Sequence, residues 1–249
     1  MIVLKFGGTS VGSVESAMKV VDIVRSRLDR KPVVVVSALS GVTDLLYRIA
    51  SGGEELPENI KTLKDRHFQF VRKLIPGDRH LCMETQKKLQ AIIDKVQETA
   101  SMQNTGDRDK AAVISSGEIM SSTIMCAALC NAGIRTQWAD ARKFITASGD
   151  PLKSEPDIDE IRERTPEVIA QAFYPAADGT VPQAVITQGF ICASHNGKPA
   201  LLGRGGSDYS ASLIAMAVDA SAVEIWTDVD GFMTADPRVI STARNRGAV

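Results

Sequence analysis

The chain has 249 residues, 44% of them hydrophobic and 24% charged, with a formal net charge of −1. That length suits one large α/β domain or two small ones of an ordinary soluble protein. A charge so near zero argues against nucleic acid or an acidic membrane as the main partner, so any anionic ligand must be held by a few local cations and backbone N–H groups.

The N-terminus reads directly as a strand, "IVLKF", with no basic segment ahead of an apolar one. Nowhere does an apolar run read as long enough to span a bilayer. "IVLKF" and "PVVVVSA" are short, Val-rich and bounded by turn residues, which suits strands buried on both faces of a parallel sheet. Between them Val14, Met18, Val21, Val24 and Leu28 recur at helical spacing, so the first 40 residues form a β-loop-α-β unit. "LSGVTD" then leads into a helical "LLYRIA".

Residues 51–110 are a charged excursion, with 21 of 60 residues Asp, Glu, Lys or Arg. Leu63, His67, Phe70 and Leu74 predict one helix there, and Leu89, Ile92, Ile93 and Val96 a second, separated by "IPGD" and packed on the sheet. "KAAVISSGEIMSSTIMCAALCNAG" reads as a strand end, a glycine turn and a buried helix. "IRTQWAD" predicts a strand, "EPDIDEIRERTPEVIAQAF" an acidic-capped helix, and "QAVITQGFICAS" one more strand. "LGRGGSDYSASLIAMAVDA" is a glycine loop opening a helix, and "AVEIWTD" a last strand. No repeat or low-complexity linker divides the chain. The four cysteines, Cys82, Cys126, Cys130 and Cys192, form no C-x-x-C pair; Cys126 and Cys130, one helical turn apart, read as small buried thiols. This usage predicts a reduced, cytoplasmic compartment.

Three segments fall where α/β sheets bind ligands, beyond the C-terminal ends of strands. In KFGGTS, Gly7 and Gly8 let backbone approach an anion, Thr9 and Ser10 add hydroxyls, and Lys5 ends an apolar strand, where an unpaired ammonium is costly. On pattern alone a β-turn with a snorkelling lysine fits equally well. In GRGGSD, from Gly203 to Asp208, Arg204 can fork onto a carboxylate or phosphate at a helix N-terminus, while Ser207 or Asp208 also reads as an N-cap. Ser115-Ser116-Gly117-Glu118 fits a capping box; the other use of Glu118 is to grip a substrate ammonium.

"SALSGVTD" adds hydroxyls at Ser37, Ser40 and Thr43. "WTDVDGFMTADPR" clusters Asp228, Asp230 and Asp236 with Arg238, without the closing glutamate of a calcium loop. The histidines are His67, His80 and His195, and no G-x-S-x-G, H-E-x-x-H or paired zinc motif is present. Two glycine loops bearing Lys and Arg suit phosphoryl transfer, which rests on positioning and charge neutralisation.

Together KFGGTSVG, SALSGVTD, SSGEIMSS, QWAD-AR, ITQGF, LGRGGSDYSA and WTDVDG-(x)₃-ADPR, in this order, resemble the aspartate kinases of the amino acid kinase family. The resemblance covers roughly residues 1–50 and 111–240. It implies a three-layer αβα sandwich with a mainly parallel central sheet. Residues 1–200 would form mainly an amino-acid lobe and 201–249 part of a nucleotide lobe. It also implies ATP- and Mg²⁺-dependent phosphorylation of the L-aspartate side chain to 4-phospho-L-aspartate, early in lysine, threonine and methionine synthesis.

By resemblance, Lys5 neutralises the transferring phosphoryl group, Phe6, Gly7 and Gly8 belong to its binding loop, and Asp208 organises them. Glu118 pairs with the α-ammonium of aspartate and Arg204 with its α-carboxylate, while Ser37, Thr43, Phe190 and Ser207 line that pocket. Thr227, Asp228, Met233 and Arg238 match nucleotide positions. Mg²⁺ rides on the phosphates without a protein cage, so no residue is assigned as a metal ligand. The implied partners are aspartate and ATP, with no nucleic acid or membrane, and a homo-oligomer in the full-length protein. Met233 stands where the family usually has tyrosine. No F-G-A-K-V-L-H-P-like motif or ACT domain follows "STARNRGAV", so a C-terminally incomplete catalytic domain is expected. The alternatives are the kinase portion of a bifunctional aspartokinase–homoserine dehydrogenase, or a non-catalytic aspartate-binding module.

Overall fold

The Val-rich segments build a five-stranded parallel sheet in a computed structural model that describes residues 1–102, 105–176, 179–227, 240, 242 and 244. Its strands are β1 (Ile2–Phe6), β2 (Pro32–Val36), β3 (Thr136–Trp138), β6 (Ala184–Gln188) and β9 (Ala222–Trp226), in the order β3-β6-β2-β1-β9. Every residue of β1, β2 and β6 is buried, the double-sided burial that an unbroken apolar run demands. Each such Val or Leu side chain contributes about 1.5–3 kcal/mol on leaving water.

Register fixes which side chains share a face. Lys5 lies beside Val35, while Phe6 lies beside Val36 and Val36 beside Gln188. On the Phe6 face sit α1 (Val14–Arg25) and α5 (Asp107–Asn131): Phe6 shares a cavity wall with Ser16 and Val20, and Gln188 and Trp138 both reach Ser122. The opposite face, that of Lys5, carries α7 (Gly206–Ala217), on which α6 (Ile158–Ala172) packs. This is the expected three-layer αβα sandwich. Ser13 caps α1, whose buried stripe is Ala17, Val20, Val21 and Val24, so Met18 faces out.

The predicted segment QAVITQGFICAS is two strands rather than one. The chain leaves the main sheet at Gly189–Phe190 and enters a small mixed sheet as β7 (Ile191–Ser194), beside β4 (Thr146–Asp150), β5 (Lys153–Pro156) and β8 (Pro199–Leu201). The break is a turn at Phe190, whose φ of 68° no strand residue adopts.

Ser115 to Glu118 form neither a strand end, a turn nor a capping box. They lie in the interior of α5, one continuous 25-residue helix. Glycine sits there because α5 runs hard against its neighbours: a Cβ on Gly117 would stand 2.9 Å from Leu46 Cδ1 and 3.0 Å from Ala38 Cβ. Contrary to expectation, α5 is also long and apolar enough to cross a membrane, although 78% of its most apolar window is buried inside this fold.

Beside it, α2 (Val42–Ala50), α3 (Leu56–Leu74) and α4 (Arg79–Ala100) form the outer helices. Residues 51–110 are helical as predicted, with Leu63, His67, Phe70, Leu74, Leu89, Ile93 and Val96 buried. They pack chiefly on other helices, α4 on α5 and α3 on α2 and α4, rather than on the sheet.

Candidate active site

The C-terminal ends of β1, β2 and β6 and the start of α7 surround a cavity of about 410 Å³. Lys5, the last-but-one residue of β1, is buried, and its Nζ lies 2.7 Å from Asp208 Oδ1 in the first turn of α7. The ammonium is therefore not the snorkelling side chain that the pattern alone allowed. An ammonium carries three donors, and Asp208 is the carboxylate it meets among the described residues. Neither Ser207 nor Asp208 is the N-cap; that position is Gly205, in the left-handed region at φ 73°.

KFGGTS is clamped against the turn after β2. Ser37 N donates to Phe6 O at 3.1 Å and Ser40 N to Gly8 O at 3.2 Å. A Cβ on Gly8 would come within 2.9 Å of Ala38 O, so the residue is glycine for space. Gly7 faces the lysine, its notional Cβ 3.6 Å from Lys5 Nζ. The rim of the same turn is propped from α3, where Arg66 donates to the carbonyl of Ser40.

Glu118 enters from α5 and is buried. Its Oε1 accepts from Ala38 N at 3.2 Å, while Oε2 is buried without a hydrogen-bond partner. Burial pushes the carboxyl up to about 8, against the Ala38 N–H, which favours the charged form. A cationic donor placed at Oε2 would offset that burial and favour the ionised form.

The third wall is the interlock of ITQGF with GRGGSD. A Cβ on Gly189 would strike Ser207 Cβ at 2.7 Å, and one on Gly206 would strike Phe190 Cδ2 at 2.8 Å. The buried Ser210 Oγ accepts from Phe190 N at 2.9 Å and donates to Gly206 O at 2.8 Å, which ties the turn to α7. Gly206 thus serves packing between the two segments, and exposed Arg204 stands at the cavity mouth beside half-buried Ser207.

The structure brings nine of the expected residues to this one cavity: Lys5, Gly8, Ser37, Thr43, Glu118, Phe190, Arg204, Ser207 and Asp208. Phe6 and Thr227 instead line a second cavity of about 360 Å³, with Thr9 and Ser10 of the same loop, where Phe6 stacks on Trp226 at 6.4 Å. Gly7 lines neither cavity. Asp228, Met233 and Arg238 lie outside the described residues. Sequence reasoning missed Asp44, which also faces the first cavity, and Ser210, a mid-helix serine that carries no local signal.

Among the described residues one group has metal-ligand spacing, Asp157, Glu160 and His195, and it does not line this cavity. Its members are already engaged: Asp157 caps α6, and Glu160 pairs with Arg164 and His195. The carboxylates that line the first cavity are Asp44, Glu118 and Asp208, with Asp208 paired to Lys5.

Residues 1–246 match the amino acid kinase family. The chain is 36% identical over 246 residues to the lysine-sensitive aspartokinase 3 of Escherichia coli (strain K12), covering 98% of this chain and 52% of that protein. Among solved structures it resembles E. coli aspartokinase III in complex with lysine and aspartate, with a TM-score of 0.84, 33% identity, and 98% and 53% of the two chains covered. The same enzyme in complex with aspartate and ADP matches with a TM-score of 0.80, 34% identity and the same coverage. The chain spans about half or less of the length of the curated relatives it matches. With the family match running through KFGGTS, Glu118 and GRGGSD alike, the chain belongs to the amino acid kinase family.

Proposed function

We propose that this chain carries the acceptor site of an aspartokinase, which transfers the γ-phosphoryl group of ATP to the side-chain carboxylate of L-aspartate to give 4-phospho-L-aspartate. The observation that carries the reading is the content of one cavity: a buried glutamate with an unpartnered oxygen, an exposed arginine, and a lysine–aspartate pair beside a glycine turn. A free α-amino acid offers an ammonium for Glu118 and a carboxylate for Arg204. Its relative E. coli aspartokinase III has been solved with aspartate and ADP.

The chemistry needs little beyond this. An aspartate side chain, with a pKa of about 3.9, is already ionised at neutral pH and requires no general base. None of the cavity-lining residues is a histidine. What the reaction needs is relief of repulsion between two anions. Lys5, held by Asp208, supplies a positive charge where the phosphoryl group passes, and the Gly7–Gly8 turn lets backbone approach it. Ser37, Thr43, Phe190 and Ser207 shape the acceptor pocket. We assign the nucleotide to the Phe6 and Thr227 side of the loop, together with Asp228, Met233 and Arg238. Mg²⁺, when bound with ATP, supplies further neutralisation of the phosphates. On this reading residues 1–200 are mainly the amino-acid lobe and 201–249 part of the nucleotide lobe. The protein is cytoplasmic, acts early in lysine, threonine and methionine synthesis, and is a homo-oligomer in full-length form.

The test is chemical trapping. A polypeptide containing this sequence in its natural context, incubated with ATP, Mg²⁺, aspartate and hydroxylamine, is expected to form aspartyl hydroxamate. Phosphorylation of a different amino acid with no aspartyl hydroxamate would overturn the assignment.

A further inference from the structure

Away from this site, α4, the C-terminal half of α5 and β3 enclose a groove of about 610 Å³. Leu81 and Ile92 of α4 and Trp138 of β3 give it apolar walls. Both Cys126 and Cys130 open onto it, and their Sγ atoms converge on one acceptor, the Thr136 carbonyl, at 3.7 and 3.8 Å. The expectation of two buried thiols fails for Cys130, which is exposed in the last turn of α5, with Cys126 half-buried behind it.

We propose that this groove is a thiol-modification site, in which Cys130 undergoes thiol–disulfide exchange with a small-molecule disulfide whose body packs between α4 and α5. The Cys130 thiolate attacks one sulfur of RS–SR, the S–S bond breaks, and RS⁻ leaves and takes a proton from water. The product is the mixed disulfide Cys130–S–S–R, with no further oxidant required.

The ionisable groups lining the groove are Glu84 and Lys88 on α4 and Cys126 and Cys130 on α5, and β3 adds none. The Cys126 thiol, turning its one proton from the Thr136 carbonyl to an ionised Cys130, and attraction from Lys88 bring Cys130 down to about 6, while Cys126 is raised and keeps its proton. Thiolate at neutral pH is what exchange requires. Cys126 supports the reacting thiol rather than resolving the adduct. Cβ atoms four residues apart on a helix stand about 5–6 Å apart, whereas a disulfide needs about 3.5–4.5 Å.

The experiment treats the folded chain with oxidised glutathione across pH 5–9 and maps adducts by mass spectrometry. One adduct per chain is expected, on Cys130 rather than Cys82 or Cys192, with a rate half-maximal near pH 6. At pH 6 the greater thiolate fraction outweighs the lower nucleophilicity, so Cys130 reacts about tenfold faster than an unstructured cysteine peptide. Cys126→Ser retains a hydroxyl donor and keeps the low midpoint, whereas Cys126→Ala moves it toward the free-thiol value of about 8.5. Adducts chiefly on Cys82, a midpoint near 8.5 in the unsubstituted chain, or a Cys126–Cys130 disulfide in place of the adduct would each overturn the proposal. The mapping on the unsubstituted chain decides the matter without any variant.

Discussion

Glu118 and His67 sit mid-way along neighbouring helices, α5 and α3, and both are buried. Desolvation holds both neutral, the carboxyl pushed up to about 8 and the imidazole down to about 4. Each has an atom without a hydrogen-bond partner, Glu118 Oε2 and His67 Nε2. They differ in what lies around the side chain. Glu118 lines the cavity that holds Lys5, Arg204 and Asp208, whereas His67 takes its place in the seam with Leu63, Phe70 and Leu74. A perturbed titration therefore marks a site only where geometry offers a ligand room; elsewhere the same desolvation is a cost of packing.

The largest expected effect lies on the cavity side, at the other charge. Lys5→Ala is expected to lower kcat by about 10²-fold or more while leaving the aspartate KM little changed, because the ammonium acts on charge that develops in transfer. Steady-state kinetics on a kinase-active form carrying this sequence measures it. A near-normal kcat would make Lys5 a structural partner of Asp208 and place it with His67.

Next comes Glu118→Gln, which keeps the acceptor for Ala38 N and removes the anion. An aspartate KM raised by about 30-fold is expected, a loss of about 2 kcal/mol, within the range for a charge-assisted hydrogen bond. The unsubstituted protein should also show a pH dependence that the variant lacks. Below about pH 8 the ligand-free carboxyl holds a proton, which binding of the substrate ammonium must expel. Affinity should therefore weaken with acidification, about tenfold between pH 9 and 7. Proton release in calorimetry with buffers of different ionisation enthalpy checks the sign. Equal affinities and equal pH profiles in both proteins would leave Glu118 as a packing residue.

How much of this contrast is legible in the sequence follows from what each feature depends on. KFGGTS and GRGGSD are readable because their constraints are local: a buried strand must end, and a turn must let backbone approach backbone. The helices of the charged excursion are readable from periodicity, His67 included. The position of Glu118 was misread because S-x-x-E is also a local pattern, while the close approach of Gly117 to Ala38 and Leu46 is tertiary. Likewise the switch of sheets at Phe190 depends on Ser210, twenty residues on. The polar strands of the small sheet, such as "TASGD" and "KSEP", lack the alternation that marks a strand.

The smallest effect belongs to the core side and touches stability alone. The folded protein keeps His67 neutral down to about pH 4, while the unfolded chain takes up a proton near the ordinary value of 6.5. The contribution is thus complete above about pH 6.5 and is lost as pH falls toward 4; at pH 5.5 the loss is on the order of 1 kcal/mol. His67 Nδ1 bonds Leu63 O at 2.7 Å, but that carbonyl is a mid-helix acceptor already served by the backbone four residues on. Leucine at this position therefore forfeits one bond and relieves one orphaned nitrogen. His67→Leu is expected to match the unsubstituted chain near pH 7 and to outlast it at pH 5.5 in urea unfolding, with kinetic constants unchanged. If the acid-side loss is identical in both chains, the imidazole is not the group that titrates, and the parallel with Glu118 fails on its core side.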